Sequence, residues 1–155
     1  MAISHAQPML LLLLSLFFLP TLRAEPMRPI RFRDCGYESY PVKVTSVEIP
    51  EYNYRRTDVR FEISASTNKT INGERLLAII MGRDGSPTTG ESNLCDLTSC
   101  PVSLGAFKFG VSVLLDPDNS SNEYSGRLTI VNPTEVLMCI RVEFIISSSN
   151  ALSAY

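Results

Sequence analysis

The sequence predicts an all-β protein, and specifically a β-sandwich of two antiparallel sheets, on three observations. Apolar and polar residues alternate with period two through most of the chain, as they do in strands that bury one face. The 3.6-residue apolar period of an amphipathic helix does not stand out in any segment. Turn-forming residues separate the strand-like segments at sandwich spacing, and β-branched and aromatic residues cluster between the turns.

The first two predicted strands are 42–49 and 58–65. In the first, the alternation changes phase, which predicts a β-bulge near Thr45 and Ser46. The second alternates without interruption and is predicted to bury one face. Its inward residues are Val59, Phe61, Ile63 and Ala65.

The segment 75–82, RLLAIIMG, is apolar on both faces. The β-branched Ile79 and Ile80 and the glycines that follow favour a strand over a short helix. Residues 83–94 are rich in Gly, Ser, Thr and Pro, and we predict a loop there.

The C-terminal half contains three more predicted strands, 107–115, 127–131 and 136–146. The polar segment 116–126 is predicted to be a long hairpin loop between the first two of them. In the last strand one face carries Met138, Ile140, Val142, Phe144 and Ile146, and the other carries Cys139, Arg141 and Glu143.

The first 24 residues predict a secretory signal peptide. Residues 9–19 are apolar except for Ser15, and this run is shorter than the ~20 residues that span a bilayer. The preceding residues lack Lys and Arg, which leaves an uncleaved anchor as the alternative. We expect cleavage after Ala24, so that 1–24 is the signal peptide and 25–155 is a single domain. The expected destination is the extracellular space, with the lysosome as the other endpoint.

Four cysteines lie in this domain, Cys35, Cys95, Cys100 and Cys139. An even number behind a signal peptide predicts two disulfides. Cys95 and Cys100 flank a short segment that can close on itself, which leaves Cys35 to pair with Cys139. In the chain-entropy model the long closure contributes about 4–5 kcal/mol to stability and the short one about 2 kcal/mol.

The side-chain chemistry argues against most enzyme classes. The single histidine, His5, lies in the signal peptide, so the domain has no Ser-His-Asp or Cys-His pair and no imidazole ligand. We predict no metal, no cofactor and no enzymatic activity. A glycosidase that uses Asp116 and Asp118 is the alternative, although acidic residues are ordinary in such a turn. The formal net charge of −2, without a basic stripe, argues against nucleic acid as a partner.

Two N-glycosylation sequons are present, at Asn68 and at Asn119, and both fall in predicted turns. Asn132 is followed by Pro133, which disqualifies it.

Several motifs, taken in order, resemble a known family. They are FRDCG (32–36), AIIMG (78–82), Cys95 with Cys100-Pro101, EYSGRL (123–128) and LMCIRVEFII (137–146). Together they resemble the ML (MD-2-related lipid-recognition) proteins, especially the Niemann–Pick type C2 sterol carriers. The resemblance covers nearly all of 25–155. It implies an immunoglobulin-like sandwich whose sheets separate to admit a lipid, and it implies the same two cysteine pairings.

The chain also departs from the sterol carriers. They usually have a further disulfide between the first two strands, and this chain has no cysteine there. Of the aromatic residues expected at the pocket mouth, Tyr124 is the one that corresponds. The resemblance therefore implies lipid binding as a class and leaves the sterol open.

The predicted function is that of a secreted lipid-binding or lipid-transfer protein, with a sterol or acyl chain in an apolar cavity between the sheets. The expected ligand is a sterol, a fatty acid, or a phospholipid or glycolipid. Ordinary core packing is the alternative for each candidate lining residue, because a filled core and a lipid cavity use the same side chains. The candidates are Phe61, Ile63, Ile79, Met81, Phe109, Val111, Val113, Tyr124, Val142 and Phe144.

The alternative function is a secreted interaction module that docks on a receptor ectodomain, as immune members of the family do. A stable complex with another ectodomain would distinguish this alternative. We expect a monomer, with transient contact with a membrane or a receptor ectodomain as a possible further interaction. Arg55, Arg56 and Arg83 are candidates for lipid headgroups, with solvated loop charge as the alternative.

Overall fold

The computed structural model describes residues 26–36, 39–50, 58–83, 85–115 and 123–146. The chain forms nine strands and one short helix in these ranges. They are β1 (Met27–Pro29), β2 (Arg31–Asp34), β3 (Val42–Pro50), β4 (Asp58–Thr67), β5 (Arg75–Gly82), β6 (Pro87–Asn93), α1 (Leu94–Leu97), β7 (Gly105–Leu114), β8 (Glu123–Val131) and β9 (Val136–Ile145).

The strands form two antiparallel sheets, which confirms the predicted β-sandwich. The four-stranded sheet has the order β1-β3-β4-β7, and the five-stranded sheet has the order β2-β9-β8-β5-β6. Ile30 alone separates β1 from β2, so the chain passes from one sheet to the other within a single residue. None of the helices in the described ranges could cross a bilayer, since none combines the required length with an apolar composition.

Period-two burial places the core between the sheets. In β4, Val59, Phe61, Ile63 and Ala65 are all at most 2% exposed, as the alternation predicts. The register between β3 and β4 shifts between Val44 and Ser46, and this irregularity confirms the predicted bulge.

Both disulfides form as predicted. Cys35 bonds Cys139, 104 residues apart, and Cys95 bonds Cys100, five residues apart. The shorter one encloses α1, whose N-cap residue Asn93 accepts a hydrogen bond from the backbone N–H of Cys95 at 2.8 Å.

Two predictions about connections are wrong. Residues 83–94 are not a loop, because 87–93 form β6, which pairs with β5 along its whole length. β7 and β8 are not a hairpin, because they belong to different sheets and β8 already begins at Glu123. The rest of the predicted hairpin loop, 116–122, lies outside the described residues, together with Asp116 and Asp118.

Candidate functional site

The candidate lining residues on β4, β7 and β9 face the space between the sheets. All seven are at most 5% exposed, namely Phe61, Ile63, Phe109, Val111, Val113, Val142 and Phe144. They belong to one continuous apolar cluster. The inner faces of both sheets can therefore contact an apolar ligand only if the sheets separate or the side chains rearrange.

Ile79 and Met81 do not line this space, and the expectation that they do is wrong. Their side chains are 40% and 43% exposed on the outer face of the five-stranded sheet. The alternate residues of β5, Leu76, Ala78 and Ile80, are the buried ones. When a strand is apolar on both faces, its sequence does not determine which alternate residues point into the core. In β5 the outward-facing apolar residues are exposed to solvent.

An aromatic series leads from the core to one end of the sandwich. The rings of Phe61 on β4 and Phe144 on β9 meet edge to face across the sheets, with centroids 5.3 Å apart. Phe144 in turn stacks on Tyr124 of β8, with centroids 5.4 Å apart. Tyr124 is half-buried, so the series connects a fully buried ring to the surface.

A cleft of about 500 Å³ lies where this series reaches the surface. It extends over the outer face at the end of the five-stranded sheet. Its lining residues are Arg31, Met81, Gly82, Arg83, Glu123, Tyr124, Ser125, Glu143, Phe144 and Ile145. The cleft includes Tyr124, the aromatic residue that the resemblance implies at the pocket mouth.

Arg28 adds a polar group beside the inner faces. It lies opposite Ile49 in the pairing of β1 with β3, so both side chains point between the sheets. Its Nη2 donates a hydrogen bond to the carbonyl oxygen of Ile145 on β9, whereas its Nε is buried without a partner among the residues that the structure describes. A buried donor without an acceptor costs about 1–3 kcal/mol, so an acceptor supplied by a ligand would be stabilising there. Arg28 could not be predicted from the sequence, because only the register of β1 reveals the direction of its side chain.

The opposite end of the sandwich is closed. Ile71 and Val102 join two connections through reciprocal backbone hydrogen bonds of 3.1 and 2.9 Å, and both side chains are buried. Leu94, which is fully buried, and the Cys95–Cys100 disulfide lie in the same region.

An ion pair also joins connections at this closed end. Lys69 Nζ, after β4, donates to both carboxylate oxygens of Glu135, before β9, at 2.6 and 2.8 Å. The hydrogen bond from Lys69 lowers the pKa of the Glu135 carboxyl below its ordinary value. Glu135 is therefore held in its charged form to a lower pH than an isolated glutamate.

The remaining candidate sites are placed as follows. Asn68 is exposed in the connection between β4 and β5, where a glycan has room, and its modification stays a prediction. Asn119 lies outside the described residues. In the ranges that the structure describes, no cluster of three or more His, Cys, Asp or Glu residues is arranged to hold a metal ion.

The sequence is similar to two curated proteins of Arabidopsis thaliana. It is 34% identical to MD-2-related lipid-recognition protein ROSY1 over 148 residues, which cover 90% of this chain and 89% of that protein. It is 36% identical to MD-2-related lipid-recognition protein 3 over 105 residues, which cover 64% of this chain and 61% of that protein. A scan against protein-family models gives no match.

Two solved structures share the fold. A Niemann-Pick type C2 protein from Japanese carpenter ant superposes with a TM-score of 0.51 at 15% identity, over 76% of this chain and 99% of that one. The C-terminal domain of wzt superposes with a TM-score of 0.50 at 16% identity, over 77% of this chain and 79% of that one. At these identities the two structures support the sandwich architecture alone. The similarity to ROSY1 over nearly the whole length of both proteins is the decisive one, and it shows that this chain belongs to the MD-2-related lipid-recognition family.

Proposed function

We propose that this protein is a secreted lipid-binding and lipid-transfer protein that holds a sterol or acyl chain between its two sheets. The observation that carries the proposal is the aromatic series of Phe61, Phe144 and Tyr124, which runs from the inter-sheet core to the cleft. The names of the two plant relatives, both lipid-recognition proteins, support the same class of ligand.

The physical basis is the apolar character of the inner faces. Each CH₂ group moved from water to an apolar site contributes about 0.8 kcal/mol, so a sterol or acyl chain needs few polar contacts to bind. The closed end keeps the sheets together at Ile71 and Val102. We infer that a ligand enters at the opposite end, past Tyr124 and Phe144, and displaces contacts around Phe61.

Arg28 favours a ligand with one oxygen-bearing end. Its unpartnered Nε would donate to a hydroxyl or carboxylate oxygen that reaches between β1 and β9. A sterol hydroxyl or a fatty-acid carboxylate both supply such an acceptor, whereas a plain hydrocarbon does not.

Native mass spectrometry of the protein, purified from the medium of secreting cells, tests the proposal. We expect a chain that begins at Glu25, takes up no alkylating agent before reduction, and carries an added mass that extraction identifies as a sterol or an acyl lipid. A purified chain without bound lipid that also fails to bind a fluorescent sterol and a fluorescent fatty acid would contradict it.

A further inference from the structure

Three arginines form a row across the outer face of the five-stranded sheet. Arg33 on β2 lies opposite Arg141 on β9, and Arg141 lies opposite Arg127 on β8. All three are exposed. Adjacent strands are about 4.8 Å apart, so the row spans about 10 Å. Like charges directly opposite each other destabilise a sheet, so the fold by itself does not favour this arrangement.

Carboxylates neutralise only part of this charge. Glu143 accepts a hydrogen bond from Arg33 at 3.0 Å. Within the described part of the chain, the guanidinium groups of Arg31, Arg127 and Arg141 have no ion-pair or hydrogen-bond partner. These three cations are therefore available to an external anion.

The three arginines of the row lie in a concave part of the protein surface. A depression of about 490 Å³ contains the row, and it adjoins the cleft of about 500 Å³ beside Tyr124. The residues that line the two include five arginines and two glutamates, a formal charge of +3. The whole chain has a formal charge of −2, so positive charge is concentrated on this face.

Exposed apolar side chains accompany the arginines. Ile79 on β5 lies opposite Arg127 and continues the same row, and Met81 lies opposite Ser125 in the next row. Ile79, Met81 and Ile145 are 40%, 43% and 51% exposed. Guanidinium groups beside apolar side chains suit the boundary between phosphate headgroups and acyl chains, where both kinds of contact are satisfied.

We propose that this face docks the protein on anionic membranes. Arg127 and Arg141 bind headgroup phosphates beside the Arg33–Glu143 pair, and Ile79 and Met81 enter the headgroup layer. Docking in this orientation brings the adjoining cleft to the lipid surface. The proposal does not depend on what the inter-sheet space holds, because every residue in it is on the outer face.

Co-sedimentation with phosphatidylcholine vesicles, with and without phosphatidylserine, tests the proposal. The wild type should bind only the anionic vesicles, and more weakly as salt is added. Arg127→Gln with Arg141→Gln should lower the partition coefficient about thirty-fold, the change that corresponds to about 1 kcal/mol for each arginine near the surface. The matched control is Lys43→Gln with Arg60→Gln, which removes the same charge from the four-stranded sheet, where these residues form ion pairs with Asp34 and Glu62.

Three outcomes would overturn the proposal. One is a wild type that does not bind anionic vesicles. Another is an equal loss in the control pair, which would mean that net charge alone acts. The third is binding that inorganic phosphate abolishes at constant ionic strength, which would mean that the row is a site for free phosphate. Thermal unfolding of both double variants verifies that they are folded.

Discussion

Arg127 and Arg141 lie directly opposite each other on adjacent strands, with both side chains on the outer face of the five-stranded sheet. Because like charges at opposed positions destabilise a sheet, Arg141→Thr should raise the free energy of unfolding by about 0.2–1 kcal/mol at low salt. The gain should shrink at high salt, where the repulsion is screened. Urea unfolding at two salt concentrations measures it.

Arg60→Thr is the control for this substitution. Arg60 is also exposed on a strand, but its Nε donates to Glu62 at 2.6 Å. Its replacement should leave stability unchanged or lower it slightly. A destabilising Arg141→Thr would show that the row contributes to the fold.

The two disulfides should differ in their contribution to stability. Cys35→Ala with Cys139→Ala opens a closure of 104 residues, and Cys95→Ala with Cys100→Ala opens one of five. Loop-closure entropy predicts that the first pair costs about 2–3 kcal/mol more than the second. Denaturant midpoints of the two double variants measure this difference, and equal midpoints would contradict the entropic account.

Val111→Trp tests the proposed position of the ligand. If lipid occupies the space at Val111, the indole should be accommodated at small cost in stability and should displace the lipid. In a fully packed core the same ring would cost about 1–3 kcal/mol. Thermal unfolding and displacement of a fluorescent sterol or fatty acid report the two effects, and Phe109→Trp provides a second probe.

Val102→Trp is the matched control at the closed end, where Val102 is 4% exposed. It should carry the full overpacking cost and leave lipid affinity unchanged. If Val102→Trp and Val111→Trp lower stability equally and neither changes lipid binding, the lipid does not bind near Val111.

Gly126 is required by close packing in the centre of the five-stranded sheet. A Cβ there would overlap the Cδ1 of Ile80 and would lie 3.1 Å from the backbone oxygen of Ile79 and 3.3 Å from Val142 Cγ2. Gly126→Ala should therefore lower the free energy of unfolding by about 1–3 kcal/mol. Ile80→Val, which removes the overlapping methyl group, should recover part of this loss in the double variant.

Gly90→Ala provides the comparison on the edge strand β6 of the same sheet. Its Cβ would lie 3.9 Å from that of Ala78, an ordinary contact. We expect little change or a slight gain in stability. Equal destabilisation by the two substitutions would show that the loss of glycine itself, and not the contact with Ile80, is responsible.

The ion pair between Lys69 and Glu135 should make stability depend on pH. The pKa of Glu135 is lowered in the folded state, so its contribution is complete above the unfolded-state pKa and is lost as the pH falls through the folded-state value. Glu135→Gln should lower the urea midpoint at neutral pH, and the difference from wild type should vanish in acid. In a Lys69→Gln background, Glu135→Gln should have a smaller effect, because only the hydrogen bond with Asn132 still lowers the pKa of Glu135. An undiminished effect would show that Lys69 is not the main cause of the shift.

The inner faces were predictable because period two fixes direction wherever one face is apolar and the other polar. On β4, Phe61 and Ile63 alternate with Arg60 and Glu62. Phe61 and Ile63 are buried, as the alternation predicts. The same rule does not decide β5, where both faces are apolar, and it gave the wrong direction for Ile79. Only pairing with β8 determines which set points inward.

The edges of the sheets carry weaker sequence signals. The sequence of β6 is PTTGESN, which shows no alternation of large apolar and polar side chains. An edge strand of this kind buries little side-chain area on either face, so its sequence needs no such pattern. β1 and β2 are three and four residues long, too short to show a period. The arginine row was also hidden, since Arg33, Arg127 and Arg141 are far apart in sequence and only the strand register brings them together.

The passage of the chain through Ile30 limits how the protein can open. Face-to-face sheets usually lie about 10 Å apart, whereas the two residue steps from Pro29 to Arg31 span at most about 7 Å. The two sheets must therefore stay close together along the edge formed by β1 and β2. The hydrogen bond from Arg28 to Ile145 joins the sheets at the same edge. If the space between the sheets widens, the sheets have to rotate about this edge. The strands farthest from it, β6 and β7, should therefore move the greatest distance when a ligand enters.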